Sequence, residues 1–171
     1  VIPVPPMGAF AFDPATRTLS MNKSAEAVMA DINLIADRCA AAGLKCLYHN
    51  HDFEFAKTPT DHTPLDLIYG ASDDLTHELD LGWVTRGGED PVVWINKYAG
   101  RLAAVHIKDI APAGENTDED GWSDVGHGTQ DWAAIHAALQ NTGVSHYVVE
   151  HDNPSDHTRF AQRSFAAISN F

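Results

Sequence analysis

Strand signals and helix signals alternate along this chain about five times, at intervals of roughly 25–45 residues. That rhythm restricts the fold more than any other feature, because βα units returning in one direction build a parallel sheet flanked by helices. The strand candidates are Val1–Pro6, Leu44–Phe55, which runs into a loop, Leu75–Val84, Arg101–Ile110 and Ser145–Asp152. Helix signals lie between and after them. Asn22 or Ser24 caps a run in which Val28, Ile32, Ile35, Ala36 and Cys39 recur at helical spacing, and Gly43 stops it. Thr63–Tyr69 is a short helix, Pro91 opens one that Gly100 ends, Trp132–Leu139 is closed by Gly143, and Asp156–Ser169 is the last. The segment up to Ser20 reads as loop, and so does Ala111–Gln130 with its acidic Asp118-Glu119-Asp120. No repeat, low-complexity tract or interdomain linker interrupts the pattern, so residues 1–171 read as a single α/β domain. The five units fit either an open doubly wound sheet or five-eighths of a closed barrel.

Composition excludes several classes of partner. The net charge of −13 comes with only 11 Lys and Arg, scattered along the chain, so the basic face needed to neutralise nucleic-acid phosphates is missing. No apolar run approaches the ~20 residues that span a bilayer. Apolar residues at 44% and charged residues at 20% are the balance of a globular protein with a core. Cys39, on the apolar face of a helix, and Cys46, in a strand, read as two buried free thiols. No secretory signal is recognisable, and the chain starts at Val1, so a cytoplasmic location is the expectation for a product that is processed or a fragment.

A strand covered on both faces is apolar throughout. Here four strands instead end in ionisable groups: Tyr48-His49-Asn50-His51-Asp52, Glu78-Leu79-Asp80, Val105-His106-Ile107-Lys108-Asp109 and Val149-Glu150-His151-Asp152. Alternation along each strand puts His49 with His51, Glu78 with Asp80, His106 with Lys108, and Glu150 with Asp152 on one face. Leu79, Leu81, Val105, Ile107 and Val149 fall on the other, helix-packed face. His49, Asp80, His106 and Glu150, one from each strand, then converge on one point. Two imidazoles with two carboxylates suit Mn, Co, Zn or Fe better than Mg, and burying such charges with no cation is costly.

On these motifs the chain resembles the sugar phosphate isomerase/epimerase family, the xylose isomerase-like TIM barrels. The stretches that carry the resemblance are Tyr48-His49-Asn50-His51-Asp52-Phe53-Glu54-Phe55, Glu78-Leu79-Asp80-Leu81-Gly82-Trp83, Val105-His106-Ile107-Lys108-Asp109 and Val149-Glu150-His151-Asp152. The resemblance implies a (β/α)8 TIM barrel of which this chain is an incomplete, C-terminal portion, with Val1–Pro6 as the fourth strand. It implies one divalent metal at the C-terminal mouth, with Asp80, His106 and Glu150 in three ligand positions and His49 where many members carry Glu. That departure puts the two-glutamate proton shuttle of ketose epimerases in question. His51 matches a position that looks like a base in related lyases.

The implied chemistry is isomerisation or epimerisation of a keto-sugar or polyol through an enediolate-type intermediate. His51 is the base, Glu150 a ligand with a second proton-transfer role, and Lys108 orients substrate or polarises an oxygen. Trp83 is a sugar-stacking candidate and His127, in Asp124-Val125-Gly126-His127-Gly128, a mouth-lining one. The alternative on the same scaffold is a dehydratase or lyase of inosose or 3-keto-glycoside type. A phosphodiester hydrolase would need a multi-metal cluster and a basic track, and neither is evident. A remnant half-barrel that only binds is the non-enzyme alternative. Because an arc of five strands has open edges, a homo-oligomer or a missing N-terminal segment is expected to complete the barrel.

Overall fold

Side-chain oxygens start the helices. In the computed structural model, which describes residues 10–13, 18–56 and 63–170, a Ser, Thr or Asp precedes each α-helix and accepts a backbone N–H from its first turn. In chain order the elements are strands β1 (Phe10–Asp13) and β2 (Thr18–Met21), helix α1 (Ala25–Ala41), β3 (Cys46–His49), α2 (Pro64–Gly70), β4 (Leu75–Asp80), α3 (Leu81–Arg86), α4 (Pro91–Lys97), β5 (Leu102–Ile107), β6 (Asp109–Ile110), β7 (Trp122–Ser123), α5 (Trp132–Leu139), β8 (Tyr147–Val149) and α6 (His157–Ile168). Ser24 caps α1, and Gly43 leaves it with φ +70°, which lets the Leu44 N–H turn back to the Cys39 carbonyl at 2.8 Å.

Strands β3, β4, β5 and β8 form one parallel sheet in that spatial order. The order never reverses, which separates a barrel arc from a doubly wound sheet, where strand order turns back at a switch point. On the helix side of the sheet, Leu75, Leu79, Val105 and Ile107 are buried against Ile68, Tyr69, Val84, Ile95, Ile135 and Leu139. Each such side chain contributes roughly 1.5–3 kcal/mol through burial. At β8 the other edge carries no strand partner among the described residues, and Tyr147 and Val148 remain 46% and 39% exposed.

Several boundaries differ from expectation. The strand expected over Leu75–Val84 stops at Asp80, because the Asp80 carboxylate accepts the Trp83 N–H at 2.9 Å and starts α3 there. Leu81 and Val84 stay fully buried, now as helix residues. In Leu44–Phe55 only Cys46–His49 pairs, and Phe53–Phe55 is a 3-10 turn. Ser145–Asp152 contracts to Tyr147–Val149. Beyond Ile107, Asp109–Ile110 leaves the parallel sheet and pairs antiparallel with Trp122–Ser123 inside the expected loop. The segment before Ser20 is not all loop: β1 and β2 pair antiparallel, satisfying each other's backbone groups. The strand expected at Val1–Pro6 lies outside the described residues. Cys39 and Cys46 are free and half-buried.

Candidate metal centre

Asp80 is held from three sides. Its backbone N–H donates to Asn50 Oδ1 at 2.9 Å, its carbonyl accepts Asn50 Nδ2 at 3.2 Å, and its Oδ1 caps α3. That leaves Oδ2 facing the centre, 3.3 Å from His49 Nε2 and 3.8 Å from His106 Nδ1. The β4–β5 register sets Asp80 opposite His106, and the His49 and His106 rings lie 4.4 Å apart. Glu150, anchored through its N–H to the Ile107 carbonyl at 3.3 Å, brings Oε2 to 2.5 Å from His106 Nδ1.

One ligand atom from each of His49, Asp80, His106 and Glu150 lies within 4.8 Å of the other three. Donors around an ion at ~2.0–2.3 Å are separated by roughly 3–4.6 Å, so the four fit a single divalent cation. Among the described residues this is the one group of its kind. Hydrogen bonding to His106, backed by Lys108 and the imidazoles, outweighs burial and holds the Glu150 carboxyl down at about 2. Burial alone would lower His106, but its bonds to Glu150 and Glu78 and the charge of Asp80 prevail and raise it. The site is thus shaped for positive charge.

His51 sits beside this set, its ring 5.1 Å from that of His49 and 5.3 Å from that of Trp83, and stacked on Phe53 at 5.9 Å. Burial, then the neighbouring His49, pushes its pKa down, which keeps the imidazole neutral and able to accept a proton. The buried Glu54 carboxylate accepts the His51 N–H at 2.8 Å and the Tyr48 hydroxyl at 2.6 Å, fixing the turn that presents the ring.

Lys108, the residue expected to orient substrate or polarise an oxygen, is fully buried, its ammonium 2.6 Å from Asp152 Oδ1, 3.6 Å from Asp80 Oδ2 and 3.8 Å from Glu150 Oε2, beneath the Trp83 and Trp122 rings. Gly82 makes room for its stem, since a Cβ there would come within 2.8 Å of Lys108 Cγ. Trp83 is half-buried, edge-on to Trp122 at 4.7 Å. His127 is not brought to the centre. It is exposed and lines a polar cleft whose walls include Glu119, Asp124, Arg159 and Arg163 and none of the four ligand candidates. There Arg159 grips both Glu119 oxygens at 2.9 Å and Arg163 meets Asp124 at 2.9 Å, tying the acidic loop to α6.

Sequence reasoning passed over Asn50 and Glu54. Their signal was present, since each is a polar residue inside a strand-end motif, but their work is to hold backbone. Asp109, fully buried, accepts the N–H groups of Gly126, Gly128, Gln130 and Ile110 and the Trp132 indole. The glycines of the 124–128 motif therefore serve this cradle. A Cβ on Gly128 would collide with the Asp109 carboxylate and the Ile110 carbonyl oxygen. Gly128→Ala is expected to cost about 3 kcal/mol, read as a lowered urea midpoint with an unchanged slope; a midpoint equal to wild type would refute the cradle.

The model of the xylose isomerase-like TIM barrel family matches residues 10–168. An inosose dehydratase from Geobacillus kaustophilus is 32% identical over 87 residues, covering 50% of this chain and 27% of its own length. One from Lacticaseibacillus casei is 24% identical over 175 residues, covering 85% and 55%. A sugar phosphate isomerase/epimerase from Parabacteroides distasonis superposes with a TM-score of 0.68 at 23% identity, over 87% of this chain and 55% of that one. An L-ribulose 3-epimerase does so at 0.65 with 20% identity, over 85% and 53%. The chain spans about half the length of these proteins or less, and the structural likenesses carry the fold alone. With its ordered parallel arc and the match along nearly its whole length, the chain belongs to the xylose isomerase-like TIM barrel family.

Proposed function

We propose that this chain carries the metal-binding part of an enzyme that removes a proton from the carbon beside a carbonyl in a keto-sugar or keto-polyol. The observation behind the reading is the placement of the His51 imidazole against the set His49, Asp80, His106 and Glu150. A divalent ion there, Mn, Co, Zn or Fe by the mixed nitrogen and oxygen donors, supplies Lewis-acid polarisation of the carbonyl. His51 takes the proton. Glu150 combines ligation with a second proton-transfer role. Lys108 balances the carboxylate charge from beneath and positions Asp152, and Trp83 offers an aromatic wall to a sugar face. Return of the proton to another carbon or the opposite face is isomerisation or epimerisation, the outcome expected from the motifs. Loss of a neighbouring hydroxyl is the second reading, and the inosose dehydratase relatives favour it. Either outcome calls for the rest of a barrel, from a longer chain or a second copy, along the β8 edge, which has no strand partner among the described residues.

The test is solvent exchange. Protein loaded with Mn or Co, in heavy water with a panel of keto-sugars and inososes, is expected to place deuterium on the carbon beside the carbonyl. His51→Ala should slow this by about 10²–10⁴ while retaining the metal. A product of unchanged composition identifies the isomerase, and one short of a water the dehydratase. Full-rate exchange in the His51 variant would remove it as the base.

A further inference from the structure

We infer that Glu78 is a positioning residue that holds His106 in the one tautomer able to bind the ion. The inference rests on the reading that the site takes a divalent cation, and concerns a carboxylate outside the four candidate ligands. Both nitrogens of His106 are engaged: Nδ1 faces Glu150 Oε2 at 2.5 Å and Asp80 Oδ2 at 3.8 Å, while Nε2 lies 3.0 Å from Glu78 Oε1. A neutral imidazole carries one N–H. With an ion among Nδ1, Oδ2 and Oε2, Nδ1 offers its lone pair and the proton belongs on Nε2. The acceptor on that edge of the ring, among the described residues, is Glu78.

The sheet register explains how Glu78 reaches it. Glu78 lies one pleat before Asp80 on β4, opposite Ala104 on β5, while Asp80 lies opposite His106. The small Ala104 side chain leaves the carboxylate room to cross to the imidazole edge. The contact is sheltered, with the Glu78 and His106 side chains only 15% and 12% exposed, so water competes weakly for the N–H. A carboxylate accepting this bond both selects the tautomer and makes Nδ1 a stronger donor to metal, and loss of such a partner typically weakens metal binding 10–100-fold.

The test combines chelator competition for Zn and Co with long-range 15N–1H NMR of His106 in the zinc-loaded protein. Wild type is expected to show the proton on Nε2. Glu78→Ala should bind metal about 10–100-fold more weakly. Glu78→Gln, whose amide oxygen still accepts the N–H, should keep the tautomer and recover most of the affinity. Wild-type protein protonated on Nδ1 overturns the inference by itself, whatever the variants do. So does an alanine variant that binds like wild type, or a glutamine variant as weak as alanine. Wild-type protein that takes up no metal sinks the metal reading and this inference together, which separates the two failures.

Discussion

Asp80→Asn is expected to lose the metal and the exchange activity while the protein stays folded. The two oxygens of Asp80 have different jobs. Oδ1 caps α3 through the Trp83 N–H, and an asparagine oxygen can do the same. Oδ2 faces His49, His106 and Lys108, and the substitution replaces that anionic ligand atom with an NH2 group. Breaking a buried charge pair typically costs 3–5 kcal/mol, so affinity should fall by roughly 10²–10⁴. The metal-free variant should stay folded but melt earlier, by up to about 3 kcal/mol, because the amide no longer neutralises Lys108 while the cap and both bonds to Asn50 survive. Metal analysis after gel filtration and calorimetry of the metal-free protein read the two effects separately. Stoichiometric metal in the variant would exclude Asp80 as a ligand.

His77→Phe is expected to protect the fold in acid. His77 is fully buried on the helix side of β4, stacked on Tyr69 with ring centroids 3.2 Å apart and edge-on to Tyr98 at 4.5 Å, and neither ring nitrogen has a hydrogen-bond partner. Burial first, and the Arg101 charge second, push its pKa from 6.5 down to about 3. Above pH 6.5 the imidazole is neutral in both folded and unfolded chains and contributes nothing to the pH dependence. Below 6.5 the unfolded chain takes up a proton that the folded one refuses, so stability falls with pH until about pH 3. The full span corresponds to roughly 5 kcal/mol. Phenylalanine keeps the aromatic stack and has no site to titrate. Urea melts of wild type and variant should agree within about 2 kcal/mol at pH 8 and diverge steadily in the variant's favour toward pH 4. Parallel curves across that range would show that His77 is not the titrating group.

His77 marks the line between what neighbouring residues dictate and what distant ones do. Its surroundings in the chain allow only a surface or packing histidine; the aromatic box comes from α2 and Tyr98. The same line runs through the metal centre. Polar strand ends and two-residue alternation place His49, Asp80, His106 and Glu150 on one face, because both signals act within a few residues. The helix starts at Ser24, Thr63 and Asp156 are legible for the same reason: a capping oxygen reaches only two or three residues on. Competition between such signals is harder to weigh. Leu75–Val84 has the apolar alternation of a long strand, and the cap made by Asp80 ends it after six residues. Contacts across the sheet lie beyond local reach altogether. Lys108 becomes a buried counter-charge because Asp152, 44 residues further along the chain, meets its amine, and Gly82 clears its path. Glu78 becomes a partner of His106 because β4 and β5 pair in a register that sets it opposite an alanine. His127 leaves the mouth because Asp109 draws in the backbone on either side of it and its side chain turns to the outer cleft. Residue type and spacing therefore decide the chemistry available to this chain, while strand order and register decide which groups meet, since those are set by packing the whole arc at once.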